Sequence, residues 1–501
     1  MDYSLKRVLE ANPVDFAGLR PITPAHSVRY SKPGGVLPSC KSIPAGCFSR
    51  QGELEPSYLS LGWSSHIQAE GQLYFYHSQL RFVTETNIYD AEKLKRLSHW
   101  MAAAGKLAEA QDFMITNSIE VMLQLDDNDD SCGYYVVDHD NRTVFWLQDV
   151  SSEDLDIPAS VSMTQLRWNS NEFYWTHVEY FSAHLPGIRM SCARELFSIL
   201  THARADHLTS TVGTFPYGAE QCKEFMDLLR DHVSGSSEVL ADRYIICVVA
   251  RLWGQVARHR FLNFYGEENA RLSRDQRVVN NAPKDLPFLF KMFSRTVLFN
   301  IPEKYSSELD GLWVDNLVYA EPWKVFVKRV TEDWKETAVW TTALTSMHAM
   351  IYFGALGSST VSIAAIALSI LGFIISMALS IYHQMSLNYE TLEAASFLDR
   401  TCHSVFGFAP LSWMYSIPKA VLFWSSGLII LQGGFALFKA VPILNHFVAG
   451  GLVGLIVAVL CGVAYALHLQ GALLSCFSFF RTFAHRDGDL ERNDGIIGNK
   501  I

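Results

Sequence analysis

The sequence predicts a mixed α and β protein. Small antiparallel β modules come first, a mainly helical cytosolic domain follows, and a C-terminal α-helical bundle crosses a membrane. Two short segments within the first 150 residues alternate aromatic and β-branched side chains around turn residues, as β-hairpins do. Helix-type spacing dominates the middle of the chain, and long uncharged apolar runs follow residue 337. A chain of 501 residues is expected to divide into about three units.

Composition excludes several classes of protein. The net charge of −10 argues against non-specific binding of nucleic acid, which requires a basic surface. The nine cysteines are scattered without a CxxC pair, so the sequence indicates neither a disulfide framework nor a zinc knuckle. No catalytic motif is present, and we therefore expect no enzyme activity, no cofactor and no bound metal. The first residues, MDYSLKRVLEANPVDFAG, lack an apolar signal segment, so the front half is expected to be cytosolic.

The front half divides at changes in sequence pattern. Residues 1–50 contain six prolines and little periodicity, which predicts a mostly disordered arm. Ala91–Ala110 repeats apolar residues at helical spacing behind Asp90, a good N-cap, and predicts an amphipathic helix. The predicted organisation is an arm at 1–50, a β module at 51–90, a linking helix at 91–112, a second β module at 118–150, a helical domain at 151–336, a transmembrane region at 337–470 and a tail at 471–501.

Four transmembrane helices are predicted, at 338–357, 360–382, 420–438 and 447–467. The first is diluted by threonine and serine, so a buried or re-entrant helix is the alternative there, which would leave three spans. Basic residues precede the first span and follow the last, which predicts that both termini are cytosolic in a multi-pass protein. The spans contain no Asp, Glu, Lys or Arg, which argues against a channel or carrier.

Two further features concern the bilayer. Small residues recur every fourth position in the last span and predict close helix packing or a homo-oligomer through Gly450, Gly454, Ala458 and Gly462. Ahead of the first span, the segment PWKVFVKRVTEDWK (322–335) carries an apolar side and a basic side. It suits a helix lying among lipid headgroups, with an ordinary amphipathic core helix as the alternative.

The first β module has the residues of a known fold. In Gly62–Tyr89, Gly62-Trp63 opens the segment, Gly71 lies in a turn, and the aromatic run Tyr74-Phe75-Tyr76 follows. This pattern resembles the WW domain, a three-stranded sheet that binds proline-rich peptides in an aromatic groove. The resemblance implies structural roles for Trp63, Gly71, Tyr74 and Phe75. The family places its ligand-binding tryptophan where this chain has Glu85, which implies that this module has lost its groove.

The second module, YVVDHDNRTVFW (135–146), has the same eleven-residue step from tyrosine to tryptophan. The resemblance to WW domains implies that Tyr135 and Trp146 grip a proline while Val137 and His139 line the neighbouring pocket. The segment just ahead of it, EVMLQLDDNDD (120–130), lacks the tryptophan of the family's first strand, and Asp149 stands where the family has proline. Both modules are therefore degenerate. The alternative is a plain aromatic hairpin whose tyrosine and tryptophan lie in the core.

The whole chain resembles a group of uncharacterised fungal multi-pass membrane proteins that contain WW domains. The segments that carry this resemblance include EGQLYFYH, YYVVDHDNRTVFWL and FYWTHVEYFSAHLPG. This resemblance brings no known activity. The WW-like modules and the membrane spans together predict a membrane-anchored adaptor or scaffold, with the lipid bilayer and Pro-rich protein segments as partners. The alternative is a membrane-bound enzyme that acts on a lipid or a small molecule through clustered His and Asp residues of the helical domain.

Overall fold

The structure is a computed structural model that describes residues 16, 18–27, 29–30, 42, 45, 59–126, 131–279, 287–354, 360–389, 391–440, 451 and 454. Two compact units divide the chain, Met1–Asn281 and Ala282–Ile501. Every strand of the described residues lies in the N-terminal unit: β1 (Leu19–Pro21), β2 (Trp63–Ile67), β3 (Leu73–His77), β4 (Phe82–Thr84), β5 (Ile119–Leu125), β6 (Cys132–Asp138), β7 (Thr143–Phe145), β8 (Ile188–Arg189) and β9 (Val239–Leu240).

Seven strands form one sheet in the order β1-β6-β5-β4-β3-β2, with β7 also paired to β6. Strands β2, β3 and β4 form one antiparallel meander, and β5, β6 and β7 form a second. The two meanders join because β4 pairs with β5 in parallel. A parallel pair needs a long connection, and helix α1 (Ala91–Ala110) supplies it.

Both faces of this sheet are covered. Successive strand residues point to opposite faces, so Phe75 packs with α1 in one core while Tyr74 packs in the other with later helices. The amphipathic helix predicted at 91–112 is present as α1, and the Asp90 carboxylate accepts hydrogen bonds from the backbone amides of Glu92 and Lys93. The sheet is therefore the middle layer of three.

This architecture differs in two ways from separate β modules behind a disordered arm. The two meanders are not separate modules, because both belong to one seven-stranded sheet. The arm at 1–50 is not wholly disordered, because β1 pairs with β6 and the buried Arg29 forms an ion pair with Glu85. Most of the remaining arm lies outside the described residues.

Four helices complete the N-terminal unit: α2 (Met163–Tyr180), α3 (Met190–Thr209), α4 (Ala219–Val233) and α5 (Arg243–Leu262). Helices α2 and α5 carry large side chains into the core shared with Tyr74, and Trp175 of α2 stacks on Trp253 of α5 with ring centroids 5.6 Å apart. This compact unit ends at Asn281, whereas the sequence predicted a helical domain that continues to residue 336.

The C-terminal unit contains α6 (Phe288–Thr296), α7 (Ile301–Leu312), α8 (Ala320–Gly354), α9 (Thr360–Gln384), α10 (Thr391–Thr401) and α11 (Ala409–Ala440). Among the described residues, two helices are long and apolar enough to cross a membrane, Thr360–Gln384 and Ala409–Gly433. They overlap the spans predicted at 360–382 and 420–438. The segment predicted as a span at 338–357 forms the end of α8 as far as Gly354. The span predicted at 447–467, its small-residue face and the tail lie outside the described residues, apart from the helical positions Gly451 and Gly454.

The apolar helices carry their polar side chains inside. On α9, Ser362, Ser369 and Ser376 are fully buried, whereas Ile363 and Ile374 are exposed. A polar interior with an apolar exterior is the arrangement that a lipid environment favours over water.

The segment PWKVFVKRVTEDWK (322–335) belongs to α8, so the boundary predicted between 336 and 337 runs through one continuous helix. Its apolar side is buried, with Trp323 and Trp334 at 0% exposure, and packs against α7, α10 and α11. Of the two alternatives for this segment, the structure shows the core helix. Its apolar side is not available to lipid headgroups.

Candidate metal centre

Strand β5, IEVMLQL, carries one acidic residue in an apolar run. Ile119, Val121 and Leu123 point toward α1, so alternation turns Glu120 and Met122 to the opposite face, toward α2. The Glu120 side chain is 0% exposed. A buried carboxylate is costly unless charged or hydrogen-bonding groups compensate it, so its neighbours indicate what the site does.

Three histidines converge on this carboxylate through their Nε2 atoms. His139 follows β6 on the same face as Glu120, and its Nε2 lies 3.2 Å from Glu120 Oε2. His177, on the last turn of α2, lies 3.4 Å from the same oxygen. His184, in a 3₁₀ turn at Ser182–His184, lies 3.1 Å from Oε1 and 3.2 Å from Oε2.

Each histidine also has a tyrosine hydroxyl behind it. The Nδ1 atoms of the three rings lie 3.1–3.4 Å from tyrosine oxygens, in the pairs His184–Tyr74, His177–Tyr135 and His139–Tyr174. The rings are thereby oriented with Nε2 toward Glu120. Metal-binding histidines typically have such a second partner, which fixes the ring orientation and the tautomer.

A guanidinium completes the surroundings of Glu120. Arg81, in the turn between β3 and β4, lies with Nη2 3.1 Å from Glu120 Oε1. Its Nε donates to the carbonyl of Ile119 at 3.3 Å. Arg81 therefore neutralises one carboxylate oxygen, and Oε2 faces His139 and His177.

These contacts set the charge state of the cluster. Burial raises the pKa of the Glu120 carboxyl, but the charge of His184 and the contacts with the three histidines outweigh burial and hold that pKa well below its usual range. Burial lowers the pKa of His177 to about 4. At neutral pH the cluster therefore offers an ionised carboxylate and a neutral His177 imidazole, the protonation states that metal binding requires.

The donor set fits a divalent transition-metal ion. One ligand atom each from Glu120, His139 and His177 lies within 4.8 Å of the other two. A tetrahedral zinc site with bonds of about 2.0–2.1 Å has edges of about 3.3–3.4 Å between ligand atoms, close to the 3.2 and 3.4 Å observed between Oε2 and the two imidazoles. Two histidines and one carboxylate are a common set for zinc and for non-haem iron, and they leave coordination positions open.

A cavity of about 210 Å³ adjoins the cluster. His139 and Arg81 form part of its wall, together with Arg142 and Arg189. Arg189 is paired with Asp140 at 2.9 Å, whereas Arg142 lies 3.9 Å from the carboxylate of Glu195 and donates from Nη1 to Cys192 Sγ at 3.6 Å. The cavity thus combines one side of the cluster with a basic wall, a surrounding that favours a small anion.

The structure places the predicted proline-binding residues differently from the expectation. Tyr135 and Val137 are 1% and 0% exposed, so they are core residues in this structure and do not line an open groove. Trp146 is half-buried, and its indole nitrogen donates to the carbonyl of Ile22 at 2.8 Å. His139 contacts Glu120 instead of lining a peptide pocket. These positions match the alternative for the second module, a plain aromatic hairpin that packs into the core.

The residues assigned structural roles lie in the first meander. Trp63 is in β2 with its ring edge-on to His77 at 5.2 Å, and Gly71 has φ of +101° in the turn between β2 and β3. Tyr74 and Phe75 are buried on opposite faces of β3. Tyr74 has a second role, because its hydroxyl contacts His184 behind the cluster.

Sequence analysis missed Glu120, His177 and His184. One signal was available, because an acidic residue within an apolar strand is rarely buried without a partner. His177 and His184 lie seven residues apart in FYWTHVEYFSAHLPG, and nothing in that spacing links them to β5, which is more than fifty residues earlier. The sequence alone therefore does not indicate a metal site here, and the candidate site is visible only in three dimensions.

A second cavity of about 550 Å³ in this unit yields a pH prediction. His259, on α5, lines it with Nε2 3.3 Å from the Thr214 hydroxyl, and burial lowers the pKa of His259 to about 4. Because the unfolded chain takes up this proton near pH 6.5, the contribution of His259 to the free energy of unfolding is expected to be full above that pH and to fall toward pH 4.

Urea unfolding at pH 7.5 and 5.0 tests this prediction. The loss of unfolding free energy between the two pH values should be smaller for His259→Gln than for the wild type. His202→Gln, an exposed residue of the same cavity, should retain the wild-type loss; an equal loss in all three proteins would contradict the prediction.

Comparison of this chain with family models, with curated proteins and with solved structures finds no match in any of the three.

Proposed function

We propose that this chain is a membrane-associated metalloprotein whose N-terminal unit binds a divalent transition-metal ion at Glu120, His139 and His177. The observation that carries the proposal is the convergence of three histidine Nε2 atoms on one fully buried carboxylate, each ring backed by a tyrosine. His184 is the remaining imidazole, placed to ligate the ion or to donate to Glu120 Oε1. The two apolar helices would hold the protein at the membrane, in a multi-pass arrangement with the N-terminal unit in the cytosol.

The histidine tautomers distinguish this proposal from a purely structural cluster. If each Nε2 carries a proton and donates it to Glu120, each Nδ1 accepts from a tyrosine hydroxyl. If Nε2 binds an ion, the ring proton is on Nδ1, and Nδ1–H donates a hydrogen bond to the tyrosine oxygen. The Tyr74 oxygen already accepts a hydrogen bond from the backbone amide of His184 at 2.9 Å. Its hydroxyl can therefore act as donor or as acceptor toward the His184 ring.

The cavity suggests what the ion would act on. A divalent ion beside Glu120 and Arg81 would leave an excess of positive charge in a largely buried site, and a small anion in the cavity would offset it. Arg142, whose carboxylate partner Glu195 lies 3.9 Å away, is placed to bind that anion. A metal ion in such a site can polarise a carbonyl or a phosphoryl oxygen or activate water, so the enzyme alternative drawn from the sequence fits this geometry better than a peptide adaptor does.

Metal binding by the full chain in detergent micelles tests the proposal. We expect one Co²⁺ per chain after dialysis, with the visible absorption of a low-coordinate nitrogen and oxygen site. His139→Gln and His177→Gln should abolish that absorption, and Tyr174→Phe should weaken binding by about 10- to 100-fold because it removes the support of His139. His99→Gln, an exposed histidine outside the cluster, is the matched control and should bind as the wild type does. Absence of Co²⁺, or equal binding in every variant, would contradict the proposal.

A further inference from the structure

Helix α6 (Phe288–Thr296) is fixed to the C-terminal unit through the side that carries Phe290 and Ser294. Phe290 stacks on Trp413 at the start of α11 with ring centroids 5.2 Å apart, and Trp413 donates to the Ser294 hydroxyl at 2.8 Å. Residues 290 and 294 are one helical turn apart and therefore share a face. This contact holds α6 in place and determines which of its other sides faces outward.

The outward side is apolar. Phe288, Leu289 and Met292 are between 48% and 77% exposed, and their spacing places them together on the helix surface. Phe293, 44% exposed, borders the fixed side, since its ring also lies edge-on to Trp413 with centroids 5.8 Å apart. Four large apolar side chains exposed on nine residues form a patch that a water-facing surface does not favour.

This patch continues onto α11, one of the two helices suited to cross a membrane. Phe299, just beyond α6, contacts Phe423 and Trp424 with ring centroids 5.4 and 5.3 Å apart. Trp424 also donates to the carbonyl of Val297 at 3.0 Å. Both Phe423 and Trp424 are about half exposed, so the outer face of α6 and that of α11 form one apolar surface. Tryptophan is enriched where membrane spans meet the headgroup layer.

The third side of α6 is basic. Lys291 and Arg295 are one turn apart and lie between the fixed side and the apolar side. Both line a cavity of about 230 Å³ together with Ser294, Ser306 and the acidic Glu303. A short helix with apolar residues on one side and basic residues beside them is suited to the boundary between acyl chains and anionic headgroups.

We propose that α6 lies in the headgroup layer of a bilayer that contains anionic phospholipid. Its apolar side faces the acyl chains, and Lys291 and Arg295 contact the phosphate of one lipid at the cavity. The proposal does not depend on the metal centre, since α6 belongs to the other unit.

Photolabelling in nanodiscs tests this contact. The full chain is placed in phosphatidylcholine nanodiscs with and without phosphatidylserine that carries a photoreactive acyl chain, and labelled peptides are identified by mass spectrometry. We expect labelling within 288–299 as well as on α9, and a several-fold loss on α6 for the double variant Lys291→Gln/Arg295→Gln. The double variant Lys304→Gln/Arg400→Gln removes two exposed basic residues elsewhere in the unit and should label as the wild type does.

Three results would overturn the proposal. The first is labelling of α9 with none on α6, and the second is absence of label from both helices. The third is labelling of α6 by phosphatidylserine that is unchanged by loss of Lys291 and Arg295. A drop in labelling confined to α6 in the basic-residue variant supports it, because α9 is the internal reference for a folded, inserted chain.

Discussion

Replacing Arg81 by methionine is expected to destabilise the metal-free protein by about 3 kcal/mol, because it leaves the buried Glu120 carboxylate without its guanidinium. This value is the lower end of the stability loss of about 3–5 kcal/mol that follows when a buried ion pair is broken. It applies because the Arg81 side chain is 24% exposed. Zn²⁺ should reverse much of this loss, because the ion replaces the missing positive charge. At about 100 times its dissociation constant it would return about 2.7 kcal/mol. Urea unfolding of the full chain in detergent, in EDTA and in Zn²⁺, measures both effects.

Two controls separate charge from packing at this position. Arg81→Lys keeps the charge and should lose far less stability in EDTA than Arg81→Met. The double variant Arg81→Met/His139→Gln lacks a metal ligand, so Zn²⁺ should not rescue it. Arg81→Met with wild-type stability in EDTA would show that Glu120 does not depend on this guanidinium, and equal rescue of both variants by Zn²⁺ would place the ion elsewhere.

Arg29→Met is expected to cost about 3–5 kcal/mol in the N-terminal unit. The side chains of Arg29 and Glu85 are 3% and 9% exposed, and Arg29 Nε donates to Glu85 Oε1 at 2.8 Å. The guanidinium also lies 4.1 Å above the centre of the Tyr180 ring. Loss of Arg29 therefore takes the guanidinium away from a buried carboxylate and removes a contact between the N-terminal segment and α2. Urea unfolding monitored by tryptophan fluorescence gives the magnitude.

The double variant Arg29→Met/Glu85→Met is the matched control for this pair. Because it removes both charges and keeps apolar volume, it should be much more stable than Arg29→Met alone. If the single and double variants unfold at the same urea concentration, the ion pair is not what holds this segment. Arg20→Met, which replaces an exposed arginine in β1, should stay within about 0.5 kcal/mol of the wild type.

Local structure was predictable where one periodicity dominated. The spacing of apolar residues in 91–110, with Asp90 ahead of them, determines α1 because neither depends on distant residues. The same holds for the strand pairs around Gly71 and Asn141, where turn residues separate aromatic runs. The uncharged stretches at 360–382 and 420–438 predicted apolar helices for the same local reason.

The joining of the two meanders was not predictable in this way. The pairing of β4 with β5 links Val83 to Met122 across the whole of α1, and no short-range pattern encodes it. Helices pack on both faces of the joined sheet, and those of the second face turn the expected surface residues Tyr135 and Val137 into core. The tyrosine of the expected groove instead supports His177 from behind.

The candidate site depends on the same long-range contacts. Glu120, His139, His177 and His184 come from a strand, a strand end, a helix and a 3₁₀ turn that meet only when α2 packs on the sheet. Sequence reasoning selected His139 for a different purpose, because its position in the hairpin was visible and its partner on β5 was not. A buried charge in an apolar strand is the one local sign of such a site.

X-ray absorption at the zinc edge of the Zn²⁺-loaded full chain tests the metal centre most directly. The structure predicts a first shell of nitrogen and oxygen at about 2.0–2.1 Å, with the outer-shell scattering of at least two imidazoles. Both features should disappear in the double variant His139→Gln/His177→Gln. A sulfur shell at about 2.3 Å, or a zinc ion surrounded by water alone, would contradict the assignment of Glu120, His139 and His177 as the site.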